Sequence, residues 1–383
     1  MLKEPRIGFL TTTNPEDRRS WSGIHFAMLQ ELRNRYKDVV VLGPLDGGKP
    51  LQRGRIRNKI SRILTGRGFD YAHSKALAEH YALQAEAKIA AVRPDILIAP
   101  SASTVVSRLK TDIPFILLSD TVFGNMVNYY PAYSQLTSNS LIQSRETENL
   151  AIQKARFAVF PSHWAADAAI EKHGANPTRV KMVPFGANFL QFPSTETALK
   201  EKPKDRLRLL FLGVDWERKG GPLVLETFRL LRQQGISCKL TIVGVTPNLA
   251  PDPDITIIPF INKNDPQGEG KIQSLLLDHH FLFLPSKAEC YGIVFCEAAS
   301  CGTPSLTRRT GGIEGAVVHH QNGLVLPENA TAEQFAAQLA QIWHHPTQYH
   351  MLCKSAYALY EQSHNWKAWG DKMEELIKLS LQR

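Results

Sequence analysis

"HFLFLPSKAECYGIVFCEAASCGTPSLT", residues 280–307, passes from an apolar strand through a glycine-marked loop into a small-residue helix, then out to a second strand. Continuous apolar strands that alternate with helices mean a parallel sheet covered on both faces. The alternation extends outward from here. In the same half of the chain "LRLLFLG" (207–213), "CKLTIVG" (238–244) and "ITIIPF" (255–260) read as strands beside "HFLFLP" (280–285) and "PSLT" (304–307). In the other half "RIGFL" (6–10), "DVVVL" (38–42), "DILIAP" (95–100), "FILLS" (115–119), "FAVFPS" (157–162) and "VKMVPF" (180–185) do so. Patterns such as "GIHFAMLQELRNRY" and "SKALAEHYALQAEAKIAAV" separate them as helices. Two such series in tandem imply an α/β protein of two doubly wound, Rossmann-like parallel-sheet domains. Between the series, residues 185–208, "FGANFLQFPSTETALKEKPKDRLR", hold prolines and mixed charges without a period. The expected domains are therefore 1–190 and 191–365, with an amphipathic closing helix over 366–383.

A chain of 383 residues suits two domains on the usual scale of roughly 150 residues each. No run approaches the roughly 18 apolar residues that span a bilayer, and the first residues carry acids, so the expected location is cytoplasmic. The five cysteines include no Cys-x-x-Cys pair and read as free thiols. The pairs His279/His280, His319/His320 and His344/His345 read as surface residues, and no metal site is expected. The formal charge of +9 is concentrated at 49–67, "KPLQRGRIRNKISRILTGR", which holds Lys49, Arg53, Arg55, Arg57, Lys59, Arg62 and Arg67 without an acid. Ile56, Ile60, Ile63 and Leu64 fall there at helical spacing. This basic amphipathic helix is either a solvated surface element or a peripheral contact for an anionic membrane or acceptor.

Ligands of open parallel sheets bind beyond the carboxyl ends of the strands, where helix starts collect anions. Two sheets facing a cleft would suit a diphosphate. After "HFLFLPS", Gly292 lets backbone approach a ligand, and the N–H groups around Ile293 and Val294 carry partial positive charge. Glu289 and Glu297 bracket that start, and acids beside a phosphate site suit hydroxyls: Glu297 those of a ribose, Glu289 those on the group the far phosphate carries. In "LFLGVDWERKGGPLVLETF" (210–228), Arg218 and Lys219 would lie near the same crevice and neutralise a departing diphosphate.

The ordered set "GVDWERKGG" (213–221), "TIVG" (241–244), "PSKAECYGIVFCEA" (285–298) and "TGGIEGAVVHHQNGLVL" (310–326) resembles the retaining nucleotide-sugar glycosyltransferases of family four, which have the two-domain arrangement called GT-B. The resemblance is strong over residues 207–330 and rests on element order over 1–190. It implies Lys219 at the diphosphate, Glu289 at the sugar, Glu297 at the ribose and backbone contacts at Gly292, Ile293 and Val294, with Gly311 and Gly312 supporting the phosphate side. In "RSWSGIHF" (19–26) it implies a phosphate contact at Gly23. Many members carry an Arg where this chain has Val214, and a His-Asp pair where it has Ser119 and Asp120. Asp120 reads either as a contact for the acceptor hydroxyl or donor sugar, or as a helix cap.

The expected reaction moves a sugar from a nucleoside diphosphate sugar, with UDP or GDP as the carrier, to an acceptor hydroxyl. The acceptor is a glycan, a lipid-linked sugar or a small molecule, the anomeric configuration is retained, and neither metal nor cofactor takes part. Rival readings are a nucleotide-sugar epimerase of GT-B type and a basic membrane-surface binding protein with a degenerate sugar site. Neither G-x-G-x-x-G after the first strand nor G-x-x-x-x-G-K-[ST] occurs, which argues against dinucleotide and P-loop chemistry. No nucleic-acid-reading motif is present either. Phe123, Tyr129, Tyr130 and Tyr133 are candidates for stacking on a sugar or for core packing.

Overall fold

Every apolar run quoted above folds as a strand in the computed structural model, which describes residues 4–265 and 267–382. The first sheet comprises β1 (Ile7–Phe9), β2 (Val39–Val41), β3 (Ile96–Pro100), β4 (Phe115–Leu118), β5 (Phe157–Phe160) and β6 (Val180–Met182). Its order is β2-β1-β3-β4-β5-β6, and all pairs are parallel. β3, β4 and β5 are buried at every residue because helices cover both faces. Lys75–Val92 lays Leu77, Ala78, Tyr81, Ala82, Ala85 and Ile89 on the sheet at helical spacing, in a core with Leu97, Ala99 and Leu117.

The second sheet comprises β7 (Leu207–Leu212), β8 (Cys238–Val243), β9 (Ile255–Ile258), β10 (Phe281–Phe283), β11 (Ser305–Arg308) and β12 (Gly323–Leu326). Its order is β12-β11-β10-β7-β8-β9, again parallel throughout. β12 was not among the expected strands. It is four residues long and opens on a glycine, a residue depleted in strands. The sheet itself demands that glycine, since a Cβ on Gly323 would lie 2.2 Å from the Ser305 carbonyl oxygen. Phe211, Phe281, Phe283, Phe295 and Phe335 are fully buried here, each stabilising by about 2–3 kcal/mol through burial alone.

The chain divides into two compact units, Met1–Val183 with Trp369–Arg383, and Pro184–Ala368. The last helix, Trp366–Leu381, starts in the second unit and ends in the first. There Trp369, Met373, Leu376 and Ile377 are buried, and Arg35 pairs with Glu31 at 2.6 Å and Asp371 at 2.8 Å. Gly370 permits the fit, because a Cβ on it would lie 2.4 Å from both Arg35 and Glu31.

In each sheet the winding changes direction once, between β1 and β3 and between β7 and β10. Loops leaving the carboxyl ends of such a strand pair diverge and leave room for a ligand. In the second unit these are the loops of Lys219 and Glu289.

Candidate functional site

Three loops of the second unit knit together beyond the carboxyl ends of β7, β10 and β11. The Lys287 N–H donates to the Arg218 carbonyl at 2.6 Å, the Gly312 N–H to the Glu289 carbonyl at 3.1 Å, and the Thr310 hydroxyl to the Lys287 carbonyl at 3.1 Å. Gly220 and Gly221 let the β7 loop close on its neighbours: a Cβ on Gly220 would lie 2.2 Å from the Pro285 carbonyl oxygen, and one on Gly221 2.1 Å from the Trp216 indole. Gly220 is left-handed, with φ of 79°, and caps the helix Gly221–Gln233.

These constraints bring Arg218, Lys219 and Glu289 together. The Lys219 ammonium ion-pairs with the Glu289 carboxylate, both side chains being nearly buried. Arg218 lies 3.8 Å from the same carboxylate oxygen, donates to the Ala288 carbonyl at 2.9 Å, and pairs with Asp215 at 3.3 Å. Gly292, with φ of 87°, caps the helix Ile293–Ser300. Ile293 and Val294 are its first residues, whose N–H groups have no acceptor within the helix. Glu297 lies one turn further in, 1% exposed, and ion-pairs with Lys263, which follows β9. Lys263 belongs to no motif quoted above and was not anticipated. Gly311 is left-handed at φ 51°. Gly312 gives its N–H to the Glu289 carbonyl and so ties the loop after β11 to that after β10.

In the first unit Gly23, with φ of 86°, caps the helix Ile24–Arg35. Trp21 and Ser22 before it are also left-handed, with φ of 48° and 56°. Adjacent non-glycine residues in this region store strain, a mark of functional loops. The Trp21 indole N–H donates to the Asp120 carboxylate at 3.1 Å, which joins the loops after β1 and β4. Asp120 is not a helix cap, since Val122 holds that position for Phe123–Met126. The Ser20 hydroxyl meets His25 Nδ1 at 2.8 Å and the Thr13 hydroxyl at 2.6 Å, and burial pushes the His25 pKa down to about 4.

Asp120 also lines a recess of about 300 Å³ with His73, Ser101, Thr121, Tyr133 and Glu148. His73 Nδ1 donates to the Asp70 carboxylate across 2.7 Å. Burial works against its charge, but Asp70 outweighs this and raises its pKa. Burial raises the Glu148 pKa despite His73 nearby. The buried Thr121 hydroxyl meets no partner among the described residues. Among the described residues no lysine or arginine lines this recess. Of the expected aromatic residues, Phe123 is core, Tyr129 packs on Trp164 at 5.4 Å, and Tyr133 reaches the recess beside His73.

Among the described residues no group of three or more His, Cys, Asp or Glu could hold a metal ion. His279 and His280 are buried, where a surface pair was expected. His279 Nε2 meets the Thr241 hydroxyl at 2.8 Å and His280 Nδ1 accepts from the Arg208 N–H at 3.0 Å. Burial lowers their pKa values to about 4 and about 3. Four cysteines, Cys238, Cys296, Cys301 and Cys353, are buried with raised pKa values, while Cys290, between Glu289 and Tyr291, is half-buried. No helix among the described residues is long and apolar enough to cross a membrane.

Residues 195–359 match the family Glycosyl transferases group 1. The D-inositol 3-phosphate glycosyltransferase of Pseudarthrobacter chlorophenolicus is 27% identical over 193 residues, 47% of this chain and 45% of that protein. Its namesake in Thermobispora bispora is 25% identical over 231 residues, 56% of this chain and 54% of that protein. The chain thus aligns with about half the length of the curated relatives it matches. Among solved structures, sucrose-phosphate synthase from Thermosynechococcus elongatus superposes with a TM-score of 0.69 at 16% identity, covering 98% of this chain and 99% of that one. Anabaena HepE in complex with UDP and glucose gives 0.62 at 15% identity, covering 98% and 99%. The fold is that of the GT-B glycosyltransferases.

Proposed function

We propose that this chain, whose residues 195–359 match the glycosyl transferases of group 1, moves a sugar from a nucleoside diphosphate sugar to an acceptor hydroxyl with retention at the anomeric carbon. The observation that carries the reading is the pair of lysine–carboxylate contacts, Lys219–Glu289 and Lys263–Glu297, on either side of the Gly292 helix start. Each acid is charge-balanced before a donor arrives. A diphosphate at the helix start would draw Lys219 from Glu289 and free that carboxylate for sugar hydroxyls, while Glu297 receives the ribose. As the sugar–phosphate bond breaks, charge gathers on the diphosphate, and Lys219, Arg218 and the Ile293 and Val294 N–H groups stabilise it. Metal and cofactor are dispensable on this account, because fixed cations and amide dipoles already meet that charge. No carboxylate stands out as a nucleophile for a covalent intermediate, so attack comes from the face the diphosphate leaves.

In the first unit, Gly23 would meet phosphate and Asp120 the acceptor hydroxyl. A recess holding Asp120 and Glu148, with no lysine or arginine among the described residues, favours an uncharged, polyhydroxylated acceptor group. UDP-sugars are the first donors to try, since a structural neighbour binds UDP and glucose.

The test is a thermal-shift screen of nucleotide sugars, then acceptor trials with the best donor, with the anomeric configuration of the product read by proton NMR. An inverted product removes the retaining mechanism, loss of activity in EDTA removes metal independence, and donor turnover without an acceptor would favour the epimerase.

A further inference from the structure

The helix Gly48–Thr65 is built inside out. After Leu51, which packs half-buried against the core of the first unit, the residues it turns inward are small or polar: Gly54 is buried, and Asn58 and Ser61 are half-buried. A Cβ on Gly54 would lie 2.6 Å from Tyr71. Its other large apolar residues face solvent instead, Ile56, Ile60, Ile63 and Leu64 being 59%, 50%, 72% and 77% exposed. At 3.6 residues per turn these four form one stripe, with Lys59 along one edge and Arg57 along the other. No acid occurs from residue 47 to 69.

We propose that this helix docks the protein on an anionic membrane, its stripe in the head-group and acyl boundary and its cations on lipid phosphates. Charge decides the occupant. A second copy would set one acid-free cationic helix against another. An apolar stripe edged by cations on both sides matches a surface whose charges flank an apolar layer, and a flat stripe offers no pocket for an acidic partner's side chains. Leu51, in the first turns of the same helix, lines the recess that holds Asp120 and Glu148. If the transfer reading holds, the acceptor is therefore the head group of a membrane lipid. Docking itself does not depend on that reading.

The experiment is co-sedimentation of the full chain with phosphatidylcholine vesicles, with and without phosphatidylglycerol. We expect binding to the anionic vesicles only, weakened by salt. I63S/L64S should lower the partition about 100-fold. R53Q/R55Q/K59Q should also lower it about 100-fold. Arg57 is left intact, because its guanidinium stacks 4.1 Å from the Phe69 ring centre. Both variants should keep the wild-type melting temperature and donor-induced shift, which excludes unfolding as the cause. Equal binding to neutral vesicles, no vesicle binding, capture by polyglutamate in place of vesicles, or a dimer that I63S/L64S dissolves would each overturn the proposal. Absence of turnover with every nucleotide sugar would end the transfer reading and leave the vesicle result standing.

Discussion

The loops that open helices in the two sheets reach the same backbone geometry by different residues. In the second unit each left-handed cap beside the site is a glycine, Gly220 before one helix and Gly292 before the other. In the first unit the left-handed stretch runs over Trp21, Ser22 and Gly23, two of them with side chains. That conformation costs roughly 1–2 kcal/mol for each non-glycine residue. The surrounding contacts, among them Trp21 to Asp120 and Ser20 to His25, must offset it. The units also differ in charge. Both acids of the second carry a lysine, whereas the recess of the first holds acids beside His73. On the proposed reading, the second unit is preset for an anion and the first for neutral hydroxyls.

The largest effect should come from K219A. On the proposed mechanism it removes the cation from the departing diphosphate and leaves Glu289 with its charge less balanced, so kcat should fall about 100- to 1000-fold. A loss below tenfold in steady-state assays would break the contrast, since charge stabilisation would then lie elsewhere.

Acid should next destabilise both units. Imidazoles of the unfolded chain bind protons near pH 6.5, whereas His25 stays neutral down to about 4 and His280 down to about 3. Unfolding therefore takes up protons as pH falls through that window. Their contribution is complete above pH 6.5 and is lost as pH falls to about 4 for His25 and to about 3 for His280, roughly 3–5 kcal/mol for each histidine. Denaturant midpoints against pH should show this, and H25Q should flatten the slope.

E297A should cost about 2 kcal/mol in chemical denaturation, since it removes the buried carboxylate with which Lys263 ion-pairs. E297A with K263M should recover part of the loss, and a purely additive double-mutant cycle would show the pair to be unimportant. The smallest effect should be S22G, which relieves left-handed strain and gains about 0.5 kcal/mol, less than the strain because the unfolded chain also gains freedom. If S22G instead destabilises, the Ser22 side chain outweighs its backbone cost.

The same contrast explains what could be read from the sequence. The sheets were legible because buried parallel strands are continuous apolar runs, and β12 escaped because its pairing needs Gly323 where propensity disfavours it. Gly292, Lys219 and Glu289 sit in motifs whose residue types state their geometry. Lys263 reaches Glu297 from a loop after β9, a contact that no local pattern encodes. Trp21 and Ser22 gave no sign either, because side-chain residues seldom adopt that backbone. Period alone showed helix 48–65 to be amphipathic, yet not that its apolar side would face outward. His279 and His280 were misjudged for a similar reason, since Thr241 and the Arg208 N–H that satisfy them lie far off in sequence.

Cys290 gives the molecule a built-in reporter. The other four thiols are shut away from reagents and held protonated, so a maleimide dye added briefly to the native chain would attach at the residue next to Glu289. Its fluorescence would then report whatever binds beside Glu289, without any engineered cysteine.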